Sequence, residues 1–127
     1  MGRPPAKDLT ERELEVMHVF WARGEATAAE ARDRLADSGL DRTYTTIANL
    51  VRGLHEKGFL AQVNAERPFV YRAVRSYEDV SCRLLGDLVQ RVFRGSRAQL
   101  LCRLVGQGKL SAEERSVLEQ VLEEPAR

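Results

Sequence analysis

The sequence predicts a mainly α-helical chain with one small β-hairpin, and with N-terminal and C-terminal parts of different character. Three observations lead there. Ser/Thr-x-x-Glu/Asp patterns precede four apolar-periodic runs, at Thr10…Glu13, Thr27…Glu30, Ser76…Asp79 and Ser111…Glu114. In such a capping box the hydroxyl and the carboxylate each satisfy a free backbone N–H at a helix start. Between Gly58 and Ser76 the hydrophobic period shortens to two. Beyond Ser76 the helices are apolar around more of their circumference than a lone surface helix requires.

The first helix is predicted from about Glu11 to Ala22, with Leu14, Met17, His18 and Trp21 on one face and Gly24 as its stop. His18 and Trp21 are thereby expected in the core. A short second helix follows Thr27, with Ala28, Ala31 and Leu35 inward, and stops before Ser38-Gly39. The third begins at Thr43 or Tyr44 and runs to Gly58, burying Tyr44, Ile47, Leu50, Val51 and Leu54. Thr45, Asn49, Arg52 and Glu56 then share the opposite face, within about 60° of one another. Phe59–Val63 and Phe69–Ala73 read as two strands around a polar Asn64–Pro68 turn. Three helices followed by a hairpin is the order of a winged helix-turn-helix, in which the third helix enters the major groove and the hairpin flanks the backbone.

The remaining helices are predicted at Tyr77–Phe93, Ser96–Val105 and Ser111–Glu123. Their apolar residues Leu84, Leu85, Leu88, Val92, Phe93, Leu100, Leu101, Leu104, Leu118 and Leu122 exceed what a chain this short can cover, which reads as a dimerisation module. A purely intramolecular bundle is the alternative. The domain plan is thus a flexible arm over residues 1–8, a winged-helix DNA-binding domain over 9–75, and a helical dimerisation domain over 76–127.

The 43% hydrophobic content of the 127 residues suits a folded domain. No run is long enough for a membrane span, and no apolar stretch follows the N-terminal charges as in a secretory signal, so a cytoplasmic protein is expected. Cys82 and Cys102 stand alone, without a metal-binding spacing, and read as buried inert thiols, a redox- or metal-sensing role being the alternative. No metal or cofactor motif and no catalytic constellation is present, which argues against an enzyme.

The net charge of +1 conceals a division along the chain. Residues 8–41 carry four basic and nine acidic side chains, whereas residues 42–75 carry six basic and two acidic, a local balance of +4. A polyanion-binding surface would come from that middle segment. The candidate DNA-binding residues are Thr43, Thr45, Thr46, Asn49 and Arg52 on the third helix, Lys57 at its end, and Arg67 and Arg72 on the hairpin. Hydroxyls and backbone N–H groups suit phosphates, Asn suits adenine edges and Arg suits guanine. A merely solvated polar face is the alternative for the helix. Tyr71 is equally a core or a contact residue by alternation. Arg3 and Lys7 of the arm read as a frayed tail.

Leu9–Met17 with Phe20-Trp21-Ala22-Arg23-Gly24, Thr43–Ile47, Lys57-Gly58-Phe59-Leu60, Phe69-Val70-Tyr71, Phe93-Arg94-Gly95-Ser96 and Leu110–Glu114 together resemble the penicillinase/methicillin repressor (BlaI/MecI/CopY) family. The resemblance runs from about Leu9 to Leu122. It implies a homodimeric winged-helix repressor that binds palindromic operator DNA and excludes RNA polymerase, with C-terminal helices intertwined between subunits. In antibiotic-responsive members it further implies a membrane-bound sensor protease that triggers cleavage of the repressor. Those members carry Asn-Phe where this chain has Arg103-Leu104, which speaks against that switch. The cysteine cluster of copper-responsive members is missing from Val121–Arg127, and Gly53 replaces an arginine late in the third helix. The expected function is therefore a dimeric repressor released by an unspecified signal. A thiol- or metal-responsive repressor using Cys82 or Cys102, and a winged-helix interaction module that does not bind DNA, are the alternatives.

Overall fold

The computed structural model describes residues 9–106 and 108–123; the arm at 1–8 lies outside them. Its elements are α1 (Glu11–Arg23), β1 (Glu25–Thr27), α2 (Ala28–Asp37), α3 (Tyr44–Glu56), β2 (Leu60–Gln62), β3 (Val70–Ala73), α4 (Tyr77–Arg91), α5 (Arg97–Gly106) and α6 (Ala112–Glu123). Among them no helix is long and apolar enough to cross a membrane. The described residues form two compact units that divide within α4, between Arg83 and Leu84.

The helix starts follow local chemistry. Thr10 and Glu13 close a reciprocal capping box on α1, as do Thr27 and Glu30 on α2 and Ser111 and Glu114 on α6. Ser76 Oγ accepts from the Asp79 N–H, and Thr43, outside the four patterns, caps α3 by accepting from the Thr46 N–H. Such caps are each worth about 0.5–2 kcal/mol. The Phe93-Arg94-Gly95-Ser96 segment acquires a physical reason here. Arg94 and Gly95 take positive φ of 53° and 87° to end α4, and Ser96 then caps α5 through the Gln99 N–H.

The first unit has one core, built on Val16, Met17 and Phe20 of α1, Ala31 and Leu35 of α2, Ile47, Val51 and Leu54 of α3, and Phe59, Leu60 and Tyr71. The expected face of α1 is corrected by about one residue. His18 is exposed and Trp21 only half-buried, whereas Val16, Val19, Phe20 and Glu13 turn inward. Both sets satisfy helical spacing in a helix apolar at Leu14, Val16, Met17, Val19, Phe20 and Trp21, and only packing chooses between them. His18 and Trp21 instead form an aromatic cluster with Tyr77, the Trp21 indole donating to Arg75 O at 2.8 Å. Tyr44, expected in the core, is half exposed.

The sheet has three strands, not two, in the order β1-β3-β2 and antiparallel throughout. Ala26 pairs with Tyr71 across β1–β3, and Ala61 with Arg72 across β2–β3. β1 covers the edge that a hairpin alone would leave open. Tyr71 belongs to the core.

In the second unit α5 and α6 bury no residue within the single chain. Leu101, Leu104, Val105, Val117, Leu118 and Val121 line an open groove of about 690 Å³ between them. Both cysteines are exposed, which corrects the expectation of buried thiols. The sequence places Cys82 at an apolar edge and Cys102 in an apolar helix, but among the described residues no second layer covers either position.

Candidate nucleic-acid interface

α3 presents its sequence-predicted polar face to solvent: Thr45, Asn49, Arg52 and Glu56 are all exposed, opposite buried Ile47, Val51 and Leu54. Arg52 Nη2 donates to Asn49 Oδ1 at 2.7 Å, so the carboxamide and the guanidinium stand as one unit one turn apart. Thr43 is engaged at the helix start, where its hydroxyl accepts from the Thr46 N–H and donates to Thr46 Oγ1 at 2.9 Å.

A cleft of about 860 Å³ separates α3 from the hairpin. Tyr44, Arg52 and His55 line it from α3, Thr27 and Ala29 from the start of α2, and Gln62, Arg67, Phe69 and Tyr71 from the hairpin side. Arg67 lies over the Phe69 ring at 5.4 Å, a cation–π contact that steadies the loop cation. The hairpin tip is built by Asn64, whose Oδ1 accepts from the Val70 N–H while its amide donates to Glu66 O and Pro68 O.

The cleft brings Arg52 and Arg67 together, but other predicted site residues are placed elsewhere. Arg72 lines a separate cleft with Trp21, Glu25 and Tyr77, on the other face of β3 from Tyr71. Lys57 turns toward α1, its ammonium 2.8 and 2.9 Å from the carboxylate oxygens of Glu13. Arg42 is engaged likewise by Glu15 at 3.1 Å. Two of the six cations of the +4 segment are therefore paired with acids of the preceding segment. The charge division along the sequence is in part a folding complementarity. His55 and Gln62 carry no motif, and their place in the cleft, like that of Tyr44, follows only from the α3–hairpin packing.

Residues 9–124 match the family model of the penicillinase repressor. The chain belongs to the penicillinase repressor family. The methicillin resistance regulatory protein MecI of Staphylococcus aureus strain N315 is 24% identical over 115 residues, which span 91% of this chain and 93% of that protein. MecI of Mammaliicoccus sciuri matches with the same figures. The DNA-binding domain of the repressor BlaI, solved in solution, is similar at a TM-score of 0.50 and 26% identity, covering 61% of this chain and 93% of that domain. The hsRosR-SG complex is similar at a TM-score of 0.56 across 94% of this chain and 93% of that one, a likeness of fold alone at 15% identity. This penicillinase repressor family member is a transcriptional repressor and not an enzyme. Its N-terminal helices and sheet are a winged helix-turn-helix, with β2 and β3 as the wing.

Proposed function

We propose that this repressor acts as a homodimer on a palindromic operator, each protomer setting α3 into the major groove of one half-site while the wing flanks the backbone. The observation that carries the reading is the exposed Asn49–Arg52 pair on α3, standing beside a cleft whose opposite wall bears Arg67. Asn and Arg are side chains that read base edges bidentately, and a cation across the cleft suits the intervening phosphates. Thr45 and Thr46 add hydroxyls at the α3 N-terminus. Lys57 and Arg72 are left out of the contact set, because one is held by Glu13 and the other lines a different cleft. Dimerisation is supported by the apolar side chains of the second unit, among them Leu85, Leu88, Val92, Leu101, Leu104 and Leu122, all exposed in the single chain.

Binding of the purified protein to a genomic fragment pool at several salt concentrations tests the reading. Enrichment of a palindrome with a steep salt slope is the expected result. Unselective binding, or none at moderate salt, would overturn it in favour of a winged-helix interaction module.

A further inference from the structure

Resting on the DNA-binding reading above, we infer that His55 belongs to a backbone-phosphate site in the α3–wing cleft, and that it holds a DNA phosphodiester oxygen only when its ring is protonated. His55 Nδ1 lies 3.0 Å from the carbonyl oxygen of Leu60, the first residue of β2. A carbonyl oxygen only accepts, so Nδ1 carries a hydrogen in either protonation state of the ring. The tautomer is thereby set. In the neutral ring the remaining nitrogen, Nε2, holds a lone pair and has nothing to donate to a phosphodiester, which itself only accepts. Protonation converts Nε2 to an N–H donor and adds a positive charge, so the same ring becomes a charge-assisted phosphate ligand.

The surroundings suit an anion. The Tyr71 ring meets His55 at 5.7 Å and 63°, fixing the imidazole from the sheet side. The titratable and charged groups that line the cleft with His55 are Tyr44 and Arg52 on α3, Arg67 on the β2–β3 loop and Tyr71 on β3. β2 contributes the uncharged Gln62, and the lining residues of α2 carry no charge. Among these lining residues there is no carboxylate to neutralise the imidazolium; Glu56, next in sequence, is exposed and outside the lining. An anion drawn into the cleft thus meets the Arg67 guanidinium, an amide donor and a ring that gains its charge as the anion arrives. DNA binding by this repressor takes up a proton at His55.

The experiment measures affinity for a short random-sequence duplex from about pH 8 to about pH 6, where histidine is the ordinary side chain that titrates. Calorimetry in buffers of differing ionisation enthalpy counts the protons taken up. A phosphate contact is independent of base sequence, so no operator is required. The wild-type protein is expected to bind several-fold more tightly at the lower pH and to take up a measurable fraction of a proton within that range. H55Q, which keeps a donor for Leu60 O and never charges, is expected to bind the duplex with an affinity that no longer changes with pH and to lose the proton uptake, while an unchanged melt followed by Trp21 fluorescence shows it folded. The other histidine of the chain, His18, is the control, and H18Q is expected to keep the linkage. Proton uptake that persists in H55Q, or that vanishes in H18Q, overturns the assignment. Duplex binding without proton uptake overturns this inference alone, whereas no duplex binding at any pH overturns the DNA-binding reading as well. Titration of the His55 ring resonances with inorganic phosphate separates the two anion sources. A response to phosphate with none to duplex would make the cleft a free-anion site and defeat the backbone assignment.

Discussion

Lys57 Nζ lies 2.8 Å from Oε1 and 2.9 Å from Oε2 of Glu13, fastening the residue after α3 to the first turn of α1. The same Oε1 accepts from the Thr10 N–H at 2.9 Å, so one nearly buried carboxylate caps α1 and anchors α3. Burial pushes the Glu13 carboxyl up, but the Lys57 hydrogen bonds and charge, with the Thr10 cap, together hold it below the ordinary 4.5. A depressed carboxyl stabilises the fold above its unfolded value, and that contribution is lost as pH falls through the folded value. Glu13→Gln can keep the cap but not the ion pair, and is expected to destabilise by about 1–3 kcal/mol near neutrality. The gap to wild type should close as pH drops below 4.5. Denaturant melts across that range check it; a gap that does not depend on pH would assign the loss to packing.

The pairing also fixes what Lys57 does toward DNA. Lys57→Gln is expected to lower stability while leaving the salt slope on random duplex unchanged. Arg67→Ala should reduce that slope by about one with little loss of stability. A slope reduced by about one in Lys57→Gln would show that the ammonium leaves Glu13 for a phosphate.

How much of this was legible in the sequence follows from the range of each interaction. Helix starts were readable because a capping box lies within four residues, as at Thr10 and Thr27. The polar face of α3 was readable because Ile47, Val51 and Leu54 leave only one side for Asn49 and Arg52. The inward face of α1 was not, since apolar residues stand at almost every position and tertiary packing selected Phe20 over Trp21. β1 escaped because three residues are too few for an alternation, and Thr27 already reads as a cap. The cleft escaped for a related reason. Arg52 and Arg67 are local signals, but Lys57, Arg42 and Arg72 look equivalent to them until the fold brings Glu13 and Glu15 alongside two of the three.

Because Arg52 Nη2 donates to Asn49 Oδ1, the two side chains are expected to read DNA together. Arg52→Ala should relax preference at one base position of a selected operator, costing about 1–3 kcal/mol there. Asn49→Ala with Arg52→Ala should then cost less than the sum of the single changes, since each single change already frees the other partner. Equal losses on operator and on random duplex would instead make Arg52 a phosphate clamp.

Gly53 sits inside α3, where a methyl group would meet only Glu13 Oε2 at 3.8 Å, an ordinary contact distance. Nothing about the backbone there requires glycine, and glycine costs a helix interior up to about 1 kcal/mol relative to alanine. Gly53→Ala is expected to stabilise the first unit by about 0.5–1 kcal/mol without changing the salt slope of DNA binding. A destabilised variant would mean that the Glu13 carboxylate cannot tolerate even that neighbour.

The first candidate surface for the homodimer is α5 and α6, which bury nothing within one chain while Leu104 and Leu118 line the groove between them. Leu104→Glu and Leu118→Glu each place a charge where an apolar partner surface is expected. Each should weaken the dimer by about 2 kcal/mol or more, roughly thirty-fold, by sedimentation. Operator affinity should fall with it, because the second half-site is bound at high effective concentration only while the protomers are joined. Trp21, the single tryptophan, lies in the first unit, so its fluorescence melt reports the winged helix alone. An unchanged melt together with a monomeric sedimentation profile would place the effect in the interface. A protein that stays dimeric with both changes would put the contact elsewhere, on the exposed Leu85 and Leu88 of α4 and Val92 just beyond it.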